Sequence, residues 1–262
     1  MAMTMQRNER FRAIEAELPA ALKGGEFLLF FQPVVDLSAK AVRGYEALLR
    51  WDSPRLGWVE PSEFIPVAEA AGSIFAIGSW VLGRSCAQAS RWARGDVGVN
   101  LSKAELLHPL LSATVEGALA LSTLPAERLA IEIAESTYFE IRAEALQTIG
   151  ELRERGVRIL IDEATGATPA AAGKAPLPID GLKIARELVA EIGSILCKPA
   201  DLEAVRRLAD WGGERELTVV GTGIENEAQF AFVQSCGAEL GQGFYLGRPL
   251  PADPSARPGL AL

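Results

Sequence analysis

The chain has 262 residues, of which 49% are hydrophobic and 7% are aromatic, and its formal net charge is −8 at pH 7. This length allows one α/β barrel or two small domains, and the composition allows a sizeable, mostly aliphatic core. The negative charge argues against a nucleic-acid groove, which needs clustered Lys and Arg. It does not exclude one small anionic ligand held by a metal ion or by a few placed cations.

Cysteine, histidine and hydropathy patterns exclude further classes of protein. Cys86, Cys197 and Cys236 are scattered and odd in number, which argues against a disulfide framework and favours a reducing, cytoplasmic compartment. The single histidine, His108, excludes a histidine-rich metal site. No stretch reaches the roughly 18 uncharged apolar residues of a membrane helix, and the charged start of the chain is unlike a signal peptide.

Three units are predicted along the chain: an N-terminal helix or linker (1–24), a main domain (25–252) and a C-terminal tail (253–262). Within the main domain, apolar β-prone segments alternate with helical segments. The predicted strands are 27–35, 42–49, 97–101, 129–134, 157–161, 181–184, 217–220 and 240–245. The predicted helices are 73–94, 110–120, 142–155, 200–211 and 227–236. The turn between the first two strands is too short for a crossover helix, so this pair is predicted to be antiparallel.

Eight strands with helices between most of them are typical of an α/β fold with a parallel sheet. The length suits a closed (β/α)₈ TIM-like barrel, which needs about 250 residues. We therefore predict such a barrel with one antiparallel strand near the N-terminus. An open doubly wound sheet is the structural alternative, but no GxGxxG motif follows the first strand.

Nearly every predicted strand carries a polar residue at or near its C-terminal end. These residues are Gln32, Glu46, Asn100, Glu132, Asp162 with Glu163, Lys183, Thr222 and Gln242. In a barrel these strand ends converge on one face, where active sites are built. Carboxylate and amide oxygens suit Mg²⁺, Mn²⁺ or Ca²⁺, and a lysine among them can orient a nucleophilic water or face a phosphate. The series therefore predicts a metal-dependent site on one face.

Several ordered blocks of sequence carry a resemblance to a known family. They are FQPVV (31–35), EALLR (46–50), PSEFIPVAE (61–69), VNLS (99–102), IEIAES (131–136), LKI (182–184), QGF (242–244) and GRPL (247–250). In this order and at this spacing, the chain resembles the EAL domain family over residues 27–250. The resemblance implies a (β/α)₈ barrel that binds cyclic di-GMP and hydrolyses it to pGpG with two metal ions, Mg²⁺ or Mn²⁺.

The resemblance also assigns roles to single residues. It implies that the first metal is held by Glu46, Asn100, Glu132 and Asp162. Lys183 matches the lysine that holds the attacking water, Glu163 lies at a carboxylate position of the second site, and Glu225 matches a glutamate that braces a neighbouring loop. Arg50 matches a residue that meets a substrate phosphate. Gln32 and Gln242 match polar residues around the substrate and the metal.

Some positions depart from the family pattern, and they concern the second metal. The family sequence Asp-Asp-Phe-Gly-Thr-Gly reads DEATGA at 162–167 here. Glu163 thus replaces an aspartate and reaches about 1.5 Å further, which is large beside a metal separation of roughly 3.5–4 Å. Thr222 replaces a carboxylate that serves the second metal, and Ala185 stands where Asp is usual. The first metal site is therefore complete and the second is predicted to be damaged.

A damaged second site lowers catalysis more than binding. Loss of several kcal/mol of transition-state stabilisation lowers the rate by roughly a thousandfold or more, whereas affinity depends on the pocket and the phosphate contacts. We therefore expect a catalytically impaired cyclic di-GMP-binding domain. One alternative is an active phosphodiesterase in which Glu163 and waters rescue the second ion. Another is a protein-interaction domain that binds no nucleotide, which the complete first site argues against.

The assembly of the chain is predicted less directly. By resemblance, EAL domains pair as homodimers near the loop that follows Asp162, and this segment (164–176) is altered here. We therefore expect a weak homodimer at best. The sequence contains no cyclase block, receiver domain or DNA-binding motif, which is consistent with a fragment whose sensor or cyclase module lies upstream.

Overall fold

Eight strands close into a barrel in the computed structural model, which describes residues 2–140, 143–166 and 178–252. The barrel strands are β1 Phe27–Asp36, β2 Ala41–Ser53, β4 Asp96–Asn100, β5 Leu129–Ala134, β6 Arg158–Ala164, β7 Gly181–Ile184, β8 Thr218–Gly221 and β9 Leu240–Gly241. Two short strands, β3 Gly57–Val59 and β10 Leu250–Pro251, pair with β2 and β1. The predicted α/β barrel is confirmed.

The first strand runs against its neighbours on both sides. β1 pairs antiparallel with β2, with Gln32 opposite Glu46, and pairs antiparallel with β9 to close the barrel. All the remaining neighbouring pairs of barrel strands, from β2 round to β9, are parallel. The predicted antiparallel strand near the N-terminus is therefore confirmed, and seven strands point their C-terminal ends to the same face.

Helices surround the barrel. They are α1 Ala2–Gly24, α2 Pro61–Ala70, α3 Ile74–Ala89, α4 Lys103–Leu106, α5 Leu111–Ser122, α6 Glu135–Glu140, α7 Ala143–Glu154, α8 Arg186–Val189, α9 Pro199–Gly213 and α10 Glu227–Ser235. α1 buries Ile14, Leu18 and Ala21, and its Arg10 pairs with Glu63 of α2 at 3.0 Å. Among the described residues, no helix combines the length and the apolar character needed to cross a membrane.

Strand β5 shows how the barrel positions polar groups. Its sequence, LAIEIA, is almost continuously apolar, as expected for a parallel strand buried on both faces. Since side chains alternate along a strand, Glu132 lies on the face opposite to Ile131 and Ile133, both fully buried. The aliphatic face packs into the core, while the carboxylate is directed into the barrel.

Some element boundaries differ from the predictions. The helix predicted for 73–94 ends at Ala89, where the Arg128 guanidinium donates hydrogen bonds to the carbonyls of Ala89 and Gly95 at 3.0 and 2.8 Å. The last strand, predicted for 240–245, ends at Gly241, because the next carbonyl accepts a hydrogen bond from the Ile224 amide at 3.0 Å instead of a strand neighbour. The altered loop at 169–176 and the tail at 253–262 lie outside the described residues.

Candidate active site

Three carboxylates meet at the C-terminal ends of the barrel strands. Oxygens of Glu46, Glu132 and Asp162 all lie within 4.8 Å of one another. The strand register produces this meeting, because Asn100 of β4 lies opposite Glu132 of β5, and Asp162 of β6 lies opposite the end of β5. Gly98 gives the cluster room, since a Cβ atom at this position would lie 2.2 Å from the Glu132 Oε1.

The Lys183 ammonium occupies the centre of the carboxylate cluster. Its Nζ donates hydrogen bonds to Glu46 Oε2 at 2.7 Å and to Glu132 Oε2 at 2.6 Å, and lies 3.6 Å from Asp162 Oδ2. Lys183, Glu46 and Glu132 are all buried. Buried charges are tolerated only when they are paired, and here one cation faces three acidic groups. The site therefore carries an excess of negative charge suited to a further cation.

Side-chain amides orient the Glu46 carboxylate. Asn100 Nδ2 donates to Glu46 Oε1 at 2.7 Å, and Gln242 Nε2 donates to Glu46 Oε2 at 2.8 Å. Gln242 Nε2 also donates to Gln32 Oε1 at 3.2 Å, and Gln32 Nε2 in turn donates to the Gly247 carbonyl at 3.3 Å. This chain of amides fixes the carboxylate from the side of the antiparallel strand β1.

The two glutamates of the cluster titrate differently. Burial raises the pKa of Glu132 to about 8; Lys183 lowers it, while Glu46 and Asp162 raise it further. Burial also acts on Glu46, but Lys183 and the amide donors outweigh it and hold its pKa below the ordinary value. The difference follows from the hydrogen bonds, because Glu46 has three donors and Glu132 has the ammonium alone among the described residues. Of the two glutamates, Glu132 is therefore the one whose pKa is raised.

Asp162 and Glu163 lie in a β-bulge between β6 and β7. Glu163 has a left-handed backbone (φ +54°), and its N–H donates to Asp162 Oδ1 at 2.8 Å. Its side chain is exposed, whereas Asp162 is half-buried in the cluster. Burial raises the pKa of Glu163, and the charges of Asp162 and Glu187 raise it further. A bulge commonly re-aims a side chain next to an active site, and here it separates the two consecutive carboxylates.

Thr222 and Glu225 follow strand β8. The Thr222 Oγ1 donates a hydrogen bond to the Ile184 carbonyl at 2.7 Å, so this hydroxyl is used to join the ends of β7 and β8. Glu225 pairs with Arg186 at 2.6 Å and is exposed. The predicted bracing residue Glu225 thus links the loop after β8 to helix α8.

Two cavities flank the carboxylate cluster. One, of about 430 Å³, is lined by Arg50, Asn100 and the apolar side chains of α2 and α3. The other, of about 210 Å³, lies over Lys183, Thr222 and Gln242. Asp162 and Glu163 line both cavities.

Arg50 is buried beside the larger cavity. Its Nη1 donates to the Leu49 carbonyl at 2.9 Å, and its buried Nε makes no hydrogen bond within the described part of the chain. Burial lowers the pKa of Arg50, while Glu60 and Glu46 raise it. This guanidinium still has donors for an anionic group, as a phosphate-binding residue requires.

Three residues around the site, Glu135, Arg186 and Glu187, were not predicted from the sequence. Glu135 accepts hydrogen bonds from the Thr165 N–H at 3.0 Å and from the Thr165 Oγ1 at 2.6 Å, and thereby fixes the chain after the bulge. Arg186 and Glu187 line the smaller cavity. Glu135 could have been found, because it follows Glu132 by three residues at the start of a helix. No sequence motif pointed to Arg186 and Glu187 beyond their position shortly after Lys183.

The donor set fits a hard divalent cation. Carboxylate oxygens are the preferred ligands of Mg²⁺, and also suit Mn²⁺, and the Asn100 amide keeps its Oδ1 as an acceptor while its Nδ2 donates to Glu46. Among the described residues, no other group of three His, Cys, Asp or Glu side chains could hold a metal in this way.

Comparisons with known proteins agree with this geometry. The sequence model of the family described as "EAL domain" matches residues 15–249. The bifunctional diguanylate cyclase/cyclic di-GMP phosphodiesterase MucR of Pseudomonas aeruginosa is 34% identical over 242 residues, which cover 90% of this chain and 35% of MucR. The chain spans about a third of the length of the curated relatives that it matches first.

Solved structures show the same fold. The PaMucR phosphodiesterase in complex with c-di-GMP superimposes with a TM-score of 0.83 at 33% identity, covering 92% of this chain and 98% of that one. A manganese/cy-diGMP complex of Klebsiella pneumoniae BlrP1 superimposes with a TM-score of 0.73 at 25% identity, covering 87% of this chain and 56% of that one.

Proposed function

The chain belongs to the EAL domain family of cyclic di-GMP signalling, and on this premise we propose that it binds cyclic di-GMP and hydrolyses it slowly or not at all. The barrel face would hold the ligand, and one divalent ion would sit in the complete carboxylate cluster. The signal would then pass to another domain or protein by binding instead of by removal of the messenger.

The two cavities support binding. Cyclic di-GMP carries two guanosines joined by two phosphates, and the cavities lie on either side of the Asp162–Glu163 bulge. A phosphate between the bases would lie near the carboxylate cluster, and Arg50 is the buried cation of the larger cavity. Burial of this guanidinium strengthens its interaction with a phosphate, because the local dielectric constant is low.

One metal ion is expected at the cluster. Glu46, Asn100, Glu132 and Asp162 would hold Mg²⁺ or Mn²⁺, and an ion there would polarise a phosphoryl oxygen of the ligand. Lys183 already bonds to two of these carboxylates, so it would orient a water beside the ion. For this role its ammonium must keep its proton, and the acidic groups around it raise the pKa of Lys183 well above its ordinary value despite burial.

The observation that carries the proposed loss of catalysis is the hydrogen bond of the Thr222 hydroxyl. It donates to the Ile184 carbonyl at 2.7 Å, at the position where the family has a carboxylate for a second ion. The other second-site residue, Glu163, is exposed at the bulge. If neither residue serves as a ligand of a second ion, the charge that stabilises the transition state would be reduced, whereas binding of the phosphates would depend on other groups such as Arg50.

A working phosphodiesterase is the second candidate, and one observation favours it. Glu163 and Glu187 both line the smaller cavity, so carboxylates are present there although position 222 is a threonine. Water-bridged binding of a second ion to these groups would restore part of the hydrolysis.

Isothermal titration with cyclic di-GMP, with and without Mn²⁺, tests the proposal. We expect saturable binding by the unaltered protein, a loss of at least tenfold in Arg50→Ala, and recovery of intact ligand from the complex. Arg55→Ala is the matched control, since Arg55 is an exposed arginine that pairs with Glu17 of α1. Absence of binding would disprove the proposal, and recovery of pGpG would replace it by the phosphodiesterase.

The setting of the domain is also proposed. We place it in the cytoplasm, which is consistent with three free cysteines, downstream of a sensor or cyclase module in a longer protein, which is consistent with relatives about three times as long. We propose a weak homodimer at best, and most of the segment that motivates this (164–176) lies outside the described residues.

A further inference from the structure

Glu105 is a buried carboxylate with one unused oxygen. It lies in helix α4, is 4% exposed, and lines the larger cavity together with Arg50. Its Oε2 accepts hydrogen bonds from the Ser102 N–H at 2.8 Å and the Ser102 Oγ at 2.6 Å. Its Oε1 accepts none from the described part of the chain. Since Glu105 lines the cavity and this oxygen has no donor in the described part of the chain, it is a candidate to receive a hydrogen bond from a ligand.

A glycine on the facing helix makes room for this oxygen. A Cβ atom at Gly78 of α3 would lie 1.6 Å from Glu105 Oε1, so any other residue at 78 would displace the carboxylate. Aliphatic side chains of the same helix, Ile74, Ile77 and Val81, line the same cavity. The cavity therefore combines apolar side chains with a carboxylate acceptor, which suits a planar heterocycle that carries an N–H group.

Resting on the proposed binding of cyclic di-GMP, we propose that Glu105 Oε1 accepts a hydrogen bond from a guanine base and thereby selects guanine over adenine. Guanine presents adjacent N1–H and N2–H₂ donors on its Watson–Crick edge, whereas adenine presents an N1 acceptor beside its N6–H₂ donor. A carboxylate oxygen that faces N1 attracts the guanine N1–H and repels the adenine N1 lone pair.

In the alternative interpretation, Glu105 serves only to cap helix α4. Ser102 and Glu105 form a capping box, in which each side chain bonds to the backbone of the other residue. A glutamine at the same position satisfies a capping box equally well. Glu105→Gln therefore keeps the cap but replaces the free oxygen with an NH₂ donor. The variant thus distinguishes helix capping from recognition of the base.

The experiment compares cyclic di-GMP and cyclic di-AMP by isothermal titration. For Glu105→Gln we expect cyclic di-GMP affinity to fall by roughly tenfold to a hundredfold and cyclic di-AMP affinity to stay the same or rise, so that selectivity collapses. Gly78→Ala should weaken cyclic di-GMP binding with the carboxylate still present. Combining both changes should add little, because both act on one contact.

The matched control is Glu63→Gln. Glu63 occupies the equivalent capping-box position of α2, pairs with Arg10, and does not line the cavity among the described residues. We expect it to leave the selectivity between the two dinucleotides unchanged, and thermal unfolding confirms that each variant is folded. Unchanged selectivity in folded Glu105→Gln would overturn this inference alone. Failure of the unaltered protein to bind cyclic di-GMP would instead disprove the proposed function.

Discussion

The Lys183 ammonium lies 2.6 Å from a carboxylate oxygen of Glu132, although 51 residues separate them in sequence. Both side chains are buried at the barrel face, and burial, opposed by Lys183, raises the pKa of Glu132 to about 8. A metal ion that takes Glu132 as a ligand below this pH would therefore have to displace a proton from it.

Metal binding should consequently depend on pH. Below about pH 8 the protonated Glu132 competes with the ion, so Mn²⁺ affinity should rise with pH by up to about tenfold per unit between pH 6 and 8, with release of one proton. Titration calorimetry in buffers of different ionisation enthalpy measures both quantities. Glu132→Gln should bind weakly and without this dependence. Equal Mn²⁺ affinity at pH 6 and 8 in the unaltered protein would contradict the assignment.

The same raised pKa affects the metal-free protein. Because the folded pKa of Glu132 exceeds the ordinary value of 4.5, its contribution to stability is fully present below that value and is lost as pH rises through about 8. Chelator-treated protein should therefore lose stability across this window, and Mn²⁺ should restore most of the lost stability at the alkaline end. Urea unfolding at pH 6 and 8.5, with and without Mn²⁺, checks this.

Removal of the ammonium should make the fold depend on metal. Lys183→Met leaves three neighbouring carboxylates without a buried cation, which should cost about 3–5 kcal/mol in the free energy of unfolding without metal. Mn²⁺ should then stabilise the variant more than it stabilises the unaltered protein. Lys103→Met is the control, because Lys103 forms an exposed pair with Glu140 and such pairs contribute about 0–1 kcal/mol. Equal losses in both variants would contradict the cluster's reliance on Lys183.

The backbone at Glu163 should be strained. Its φ of +54° is a conformation that costs a non-glycine residue about 1–3 kcal/mol, and Glu163→Gly should therefore raise the free energy of unfolding by about 1 kcal/mol. Glu216, which precedes strand β8 with a φ of +56°, provides a matched position away from the site. Chemical denaturation of both variants measures the effect, and a loss of stability in Glu163→Gly alone would mean that its carboxylate stabilises the site.

The barrel, and the meeting of its polar residues on one face, were predictable because both depend on local patterns. Apolar strands that end in a polar residue, such as Ile131 followed by Glu132, specify both the core face and the functional face. The partners of these residues were not predictable. That Lys183 bonds Glu46 and Glu132, and that Thr222 bonds the Ile184 carbonyl, depends on strand register and on loops that fold against each other.

Repair of the second site should restore hydrolysis. The double variant Glu163→Asp with Thr222→Glu returns both carboxylates at their family length, and aspartate also tolerates the left-handed backbone better than glutamate. We expect a measurable gain in pGpG, larger than the sum of the gains from the single variants. Thr222→Val is the control, since it removes the hydrogen bond to Ile184 without adding a charge. If the double variant gains nothing, the altered chain after Ala164 disables catalysis instead.

The turnover of cyclic di-GMP by the unaltered protein with saturating Mn²⁺ tests the central claim most directly. Enzyme and ligand are incubated at equal concentrations well above the dissociation constant, and pGpG is quantified by chromatography over time. We expect the ligand to stay bound and almost entirely intact. The rate of hydrolysis should be roughly a thousandfold or more below that of a family member in which both metal sites are complete. Rapid conversion to pGpG that disappears in Glu46→Ala would contradict it.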